Sequence, residues 1–205
     1  MDAIKKEIRI KEKKQTILKD ALKVFCKKGL KDTTIDDICE KANLSHGLFY
    51  HYYKNKEELF DGLSELYDEN VLSHYYEVIK ANTSPDVKLK EIISYTFANL
   101  YEDETFAYKT YFIISQMIRQ NDEENVYIPV GIIRNIERIF TALNNLFNEG
   151  IEQDYFDKTK TASEYTSMLL NIFIGVTMTA LLPTGSLRNA SILNPTLVYS
   201  IFLKK

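Results

Sequence analysis

Between Ser45 and Lys56 the chain reads SHGLFYHYYKNK. The imidazoles of His46 and His51 and the phenols of Tyr50 and Tyr52 both donate and accept hydrogen bonds, and Lys54 and Lys56 carry fixed positive charge. None of them has a nucleophile or a base beside it at catalytic spacing. A lag of five residues spreads His46 and His51 around a helix, and no carboxylate close in sequence is aimed at the pair, so a metal site is not expected. What such a set does well is bind a polyanion. Ammonium groups neutralise phosphates, while ring nitrogens and hydroxyls meet phosphate oxygens or the donor and acceptor edges of bases.

These groups need a rigid mount, and the preceding residues supply one. Thr34 with Asp37 three positions on makes a capping-box start. Ile35, Ile38 and Ala42 then form the buried stripe of a two-turn helix. Asn43 falls where the chain must turn, and Asn tolerates the left-handed conformation better than most residues. Leu44 plugs the space between helices, and Ser45 is an N-cap for the next one. In that short helix Phe49 and Tyr53 face inward, leaving His46, Gly47, Tyr50 and His51 outward. Two short helices joined by a tight turn, the second presenting polar and aromatic side chains, follow the helix-turn-helix plan. There the N-terminal residues of the second helix enter the major groove. Lys54 and Lys56 follow at the start of the next helix, placed to meet phosphates.

The stretch from Gly29 to Leu59 also resembles the DNA-binding domain of the TetR family of bacterial regulators. The anchors are Gly29, Thr33-Thr34-Ile35, Ile38, Ala42-Asn43-Leu44-Ser45, Gly47, Leu48-Phe49-Tyr50-His51-Tyr52-Tyr53, Lys56-Glu57 and Leu59, at unchanged spacing. Asn43 replaces the usual turn glycine, and His46 stands where many relatives have Lys or Arg. The resemblance implies that Thr33, Thr34, Ser45, Tyr50, His51, Tyr52 and Lys56 lie on the phosphate side and that His46, Gly47 and Leu48 lie on the base side. It implies a body that forms a homodimer through its last helices, 161–182 and 194–203, and holds a small molecule. The implied function is a repressor released from a palindromic double-stranded operator by a mostly apolar effector. The alternatives are a nucleoid-associated factor of the same fold without a switch, and an activator.

Beyond Leu59 the likeness is one of architecture, and the rest of the chain must be read from its pattern. Helical periodicity runs almost throughout, over 9–28, 35–41, 46–52, 56–81, 86–101, 104–120, 126–150, 161–182 and 194–203. Gly29 stops the first helix. The expected fold is all-α, about nine helices, with a three-helix head over residues 1–55 and a larger helical ligand-binding and dimerisation body over 56–205. The middle helices are rich in aromatics. Phe97, Tyr101, Tyr108, Tyr111, Phe112, Tyr127 and Phe140 are the candidates for a ligand cavity, since Tyr joins an apolar ring to a polar tip. Arg119, Arg134, Glu137 and Arg138 are possible polar anchors.

Charge divides along the same line. Residues 1–56 hold 14 Lys and Arg against 8 Asp and Glu, a net +6, and the remainder hold 12 against 21, a net −9. A basic head on an acidic body meets phosphate at one end only. The two cysteines, Cys26 and Cys39, read as buried apolar residues in a reducing compartment. Tyr165 to Leu187 is uncharged, but its apolar residues gather on one face, which suits a core or subunit contact rather than a membrane span. No signal peptide, phosphate loop, metal-ligand spacing or nucleophile elbow is present, so the expectation is a cytoplasmic protein without cofactor or catalytic activity.

Overall fold

The computed structural model describes residues 2–67, 72–102, 106–112, 130–181 and 194–204; side chains are described for all of these except 2–3, 64–67 and 130–133. Ten helical segments fall in this set: α1 (Asp2–Asp32), α2 (Ile35–Ala42), α3 (His46–Tyr52), α4 (Lys56–Tyr67), α5 (Ser73–Lys80), α6 (Pro85–Glu102), α7 (106–112), α8 (Val130–Glu152), α9 (Ala162–Ala180) and α10 (Pro195–Ser200). Among the described residues the only extended pairing is a single antiparallel bridge between Phe156 and Leu203. The expected long helix over 56–81 is described as α4 and α5. Tyr127 and Arg119 lie outside the described residues.

Local signals set the ends of these elements. At Gly29 the backbone leaves the helix with φ 80 and ψ 162, a conformation open mainly to glycine. The chain turns a corner there before α2. Thr34 and Asp37 form a full capping box, each side chain bonded to the other's backbone N–H. Asn43 closes α2 in the left-handed conformation, φ 50 and ψ 55, and the Leu44 N–H reaches back to the Cys39 carbonyl at 2.9 Å. Thr161 and Glu164 repeat the capping box at α9.

Two apolar cores result. The head core gathers Ile17, Leu18, Ala21, Leu22 and Phe25 of α1, Ile38 and Cys39 of α2, Phe49 and Tyr53 around α3, and Leu59, Phe60 and Leu63 of α4. Packing therefore continues through residue 56 into α4. The body core is built by α6, α8 and α9, with α5 and α10 laid against them. Its centre is an aromatic cluster in which Phe147 lies 5.3 Å from Phe156, 5.4 Å from Tyr165 and 5.4 Å from Phe202. Gly150 permits it, because any Cβ there would clash with the edge of the Phe156 ring.

Candidate nucleic-acid interface

The short helix α3 divides cleanly into two faces. Phe49 is fully buried and Tyr53 nearly so, with the Tyr53 hydroxyl donating to the Lys14 carbonyl at 3.2 Å and the Lys14 ammonium over its ring. These contacts clamp α3 against α1. On the other side His46, Gly47, Leu48, Tyr50 and His51 are all exposed, Tyr50 by 53%. Nothing lies within 4 Å of where a Cβ on Gly47 would stand, so this part of the face is open. Ser45 caps the helix, accepting from the Leu48 N–H at 3.2 Å. Tyr52 is half-buried against the head core, with the His51 ring edge-on to it. Lys54 is exposed, and its backbone N–H donates to Glu58 at 2.7 Å, tying the loop to the start of α4.

Two candidates are placed differently from the expectation. Thr33 is 2% exposed, and its hydroxyl donates to the Gly29 carbonyl at 2.6 Å. Its hydroxyl is thus engaged inside the corner between α1 and α2 rather than presented on the surface, because the break at Gly29 frees a carbonyl that needs a donor. Lys56 is half-buried, with its ammonium donating to the Lys31 carbonyl at 3.2 Å and the Thr33 carbonyl at 3.0 Å. It fastens α4 to the same corner. Thr34, by contrast, stays at the surface.

Electrostatics tighten the mount. Lys28 sits 2.5 Å from Asp37, and this pair, with the Thr34 backbone and hydroxyl, holds the Asp37 carboxyl down at about 2. The reverse holds at Cys26, where burial pushes the thiol up to about 12. One contact was absent from the sequence reading: the Asp36 carboxylate at the start of α2 lies 2.5 Å from His46 Nε2. A carboxylate is aimed at this histidine after all. Ten positions separate the two in sequence, and only the fold of α2 over α3 brings them together. Among the described residues, no three His, Cys, Asp or Glu side chains gather as a metal cluster.

The cavity candidates do not form one lining. Phe97 is buried in the body core against Phe173 and Tyr101, and Phe140 is half-buried on α8. Tyr111 is half-buried on α7. Phe112 belongs to the head instead. It is fully packed between Phe25, stacked at 5.5 Å, and Phe60, edge-on at 5.2 Å. Tyr108 also turns to the head, its carbonyl accepting from the Cys26 thiol and its ring lying beneath the Lys23 ammonium. An apolar ring on a helix cannot announce which of two neighbouring cores it will enter, and here α7 is the element that reaches across.

Residues 17–63 match the model of the bacterial regulatory proteins, tetR family. The head belongs to the TetR family. Across more of the chain, 27% identity over 166 residues links it to the HTH-type transcriptional regulator YerO of Bacillus subtilis, covering 80% of this chain and 56% of that protein. The HTH-type transcriptional repressor KstR2 of Mycolicibacterium smegmatis is 28% identical over 85 residues, 42% of each chain. The chain thus spans about half the length of these curated relatives. Among solved structures, the MbdR regulator of Azoarcus sp. CIB superposes with a TM-score of 0.75 at 22% identity, covering 94% of this chain and 97% of that one. The ketosteroid transcriptional regulator KstR2 of Mycobacterium tuberculosis gives 0.72 at 18%, covering 94% and 95%. These likenesses establish that the TetR-type head sits on a body of the same all-α fold as those regulators. No described helix is long and apolar enough to cross a membrane.

Proposed function

We propose that this chain is a DNA-binding transcription repressor that holds a palindromic operator as a homodimer and leaves it when a small molecule binds the body. The observation that carries the DNA-binding part is the exposed face of α3, with His46, Gly47, Leu48, Tyr50 and His51 outward on a helix locked from behind by Phe49 and Tyr53. In this reading His46, Gly47 and Leu48 meet base edges in the major groove, and Thr34, Ser45, Tyr50, His51, Tyr52 and Lys54 meet the phosphates. Thr33 and Lys56 act mainly by fixing the corner beneath them.

Homodimerisation is supported by α9 and α10. Ser167, Asn171, Ile174 and Gly175 are exposed on α9 and carry no charge, and Leu197 and Ile201 are exposed at α10. An exposed helix face without charge beyond its first turn suits close packing against its two-fold copy. For the effector, a groove of about 630 Å³ lies between α5 and α8, lined by Tyr76, Lys80, Arg134, Glu137, Arg138, Thr141, Ala142 and Asn145. Three cations against one carboxylate favour an apolar molecule with an anionic end. Release then requires tighter effector binding by the state whose heads are wrongly spaced. Phe112 and Tyr108 on α7, with α4, supply the mechanical link. A reading without a small-molecule switch gains from Phe97 and Phe112, which are packed into cores and line no open space.

The test is anisotropy of the full chain on an operator selected from a random duplex library. Tyr50→Ala should weaken operator binding at least tenfold with helicity unchanged. Equal affinity of wild type and Tyr50→Ala would remove α3 as the DNA-facing helix. Cross-linking the two heads at operator spacing should abolish release by any effector found in a screen; release that survives the cross-link would discard the spacing mechanism.

A further inference from the structure

The first turns of α1 run on beyond the core they lead into. Among the described residues Ile17 is the first buried one of this helix, and Ile4 to Arg9 are all exposed. Residues 4–14 read IKKEIRIKEKK and hold six Lys and Arg against two Glu, a net +4. That is most of the net +6 carried by residues 1–56. Helical period gathers much of this charge on one side. Lys5, Arg9 and Lys13 recur every fourth residue and Lys6 falls beside them, all within an arc of about 100°, with Glu12 at its border. The other side of the same turns, with Glu7, Ile10 and Lys14, faces a groove lined also by Tyr53, Glu58 and Asp61. Like charges four apart on a helix repel one another and weaken it, so this stripe costs the helix stability unless an anion meets it.

We infer that Lys5, Lys6 and Arg9 form a second DNA contact, an arm that holds phosphates while α3 meets the bases. The inference rests on the proposed DNA-binding role of α3. The root of the arm is pinned to that helix. The Lys14 carbonyl accepts from the Tyr53 hydroxyl at 3.2 Å, the Lys14 ammonium lies over the Tyr53 ring, and Tyr53 is the residue that closes α3. Exposed Lys54 follows it directly. The arm therefore starts beside the C-terminal end of the DNA-facing helix, where the nearest polyanion is the duplex. Ammonium and guanidinium groups stay charged at neutral pH, and each phosphate they neutralise releases counterions. Such contacts add affinity and hold the protein on the duplex but carry no sequence information. The two tasks are thus divided: α3 chooses, and the arm holds.

The experiment measures binding of the full chain to its selected operator over a series of salt concentrations. One variant carries Lys5→Gln, Lys6→Gln and Arg9→Gln together; these side chains are exposed, so circular dichroism should show its helices kept. At about 0.15 M salt its affinity should fall about tenfold, and the slope of log affinity against log salt should flatten by about two to three for each head bound. The sequence it selects from a random duplex library should remain that of wild type. A second variant, Lys5→Arg with Lys6→Arg, keeps the charge and should keep the wild-type slope. A wild-type slope in the glutamine variant overturns the inference; if Tyr50→Ala still loses binding in the same assay, the role of α3 survives that result. A Tyr50→Ala variant that binds like wild type removes the role of α3, and the inference with it. An altered selected sequence in the glutamine variant overturns the inference, because the arm then reads bases. An arginine variant as weak as the glutamine one overturns it too, because charge is then not the agent. If the glutamine variant keeps operator binding but loses binding to phosphatidylserine vesicles, the arm with its exposed Ile4 and Ile8 serves a lipid surface and the inference is overturned.

Discussion

At the scale of single residues, the head is tuned by charges and hydroxyls that hold its corners. Asp37 accepts from Lys28, from the Thr34 backbone and from the Thr34 hydroxyl, which together hold its carboxyl at about 2. The folded state thus favours the charged form. The resulting stabilisation is full above the ordinary carboxylate range near about 4 and disappears as pH falls through about 2. Asp37→Asn should lower the melting temperature at neutral pH, and the gap from wild type should close on acidification across that window. A gap independent of pH would mean that the carboxylate's charge is irrelevant to the cap. The Cys26 thiol, half-buried and pushed up to about 12 by desolvation, should resist alkylation by iodoacetamide at about pH 8 until the protein is unfolded. Rapid native labelling of Cys26 would contradict its burial between α1 and the Tyr108 carbonyl.

At the scale of elements, two glycines decide what the helices can do. Gly29 holds φ 80 and ψ 162, which breaks α1 and lets the chain run on into the Thr34 cap. Gly29→Ala should destabilise the protein by roughly 1–3 kcal/mol, read by urea unfolding, because the side chain is strained in that region whatever space surrounds it. Gly150 answers a different demand, the close approach of Phe156 to α8. Gly150→Ala should cost about 1–3 kcal/mol by overpacking, since the Phe156 ring is wedged beside Phe147 and has nowhere to move. An unchanged unfolding midpoint in either variant would show that the neighbouring backbone relaxes freely.

At the scale of the whole molecule, the question is how head and body are joined. Phe112 leaves α7 and fills a slot between Phe25 and Phe60. It belongs by sequence to the body and by packing to the head. Phe112→Ala opens a cavity in the head core, which for a buried phenylalanine costs about 3–5 kcal/mol. Hydrogen exchange should show protection lost in α1 and α4 while α9 keeps its own. Loss spread evenly over both cores would mean that they unfold as one unit and that α7 is no separable link.

Much of this protein was legible in order along the chain. Thr34 with Asp37, Asn43, Ser45 and Gly29 each act within a few residues, through a cap, a turn or a permitted dihedral, so their types at their spacing determine helix ends whatever surrounds them. The inward turn of Phe49 and Tyr53 and the outward turn of His46, Tyr50 and His51 follow from helical period alone. The tertiary structure decided the rest. It buried Thr33, tethered Lys56 to the Lys31 and Thr33 carbonyls, set Asp36 against His46, and sent Phe112 and Tyr108 into the head instead of a cavity. Each of these depends on which faces of separate helices meet. Periodicity says that a face is apolar, but the partner it packs against is fixed only when the whole chain closes around its cores.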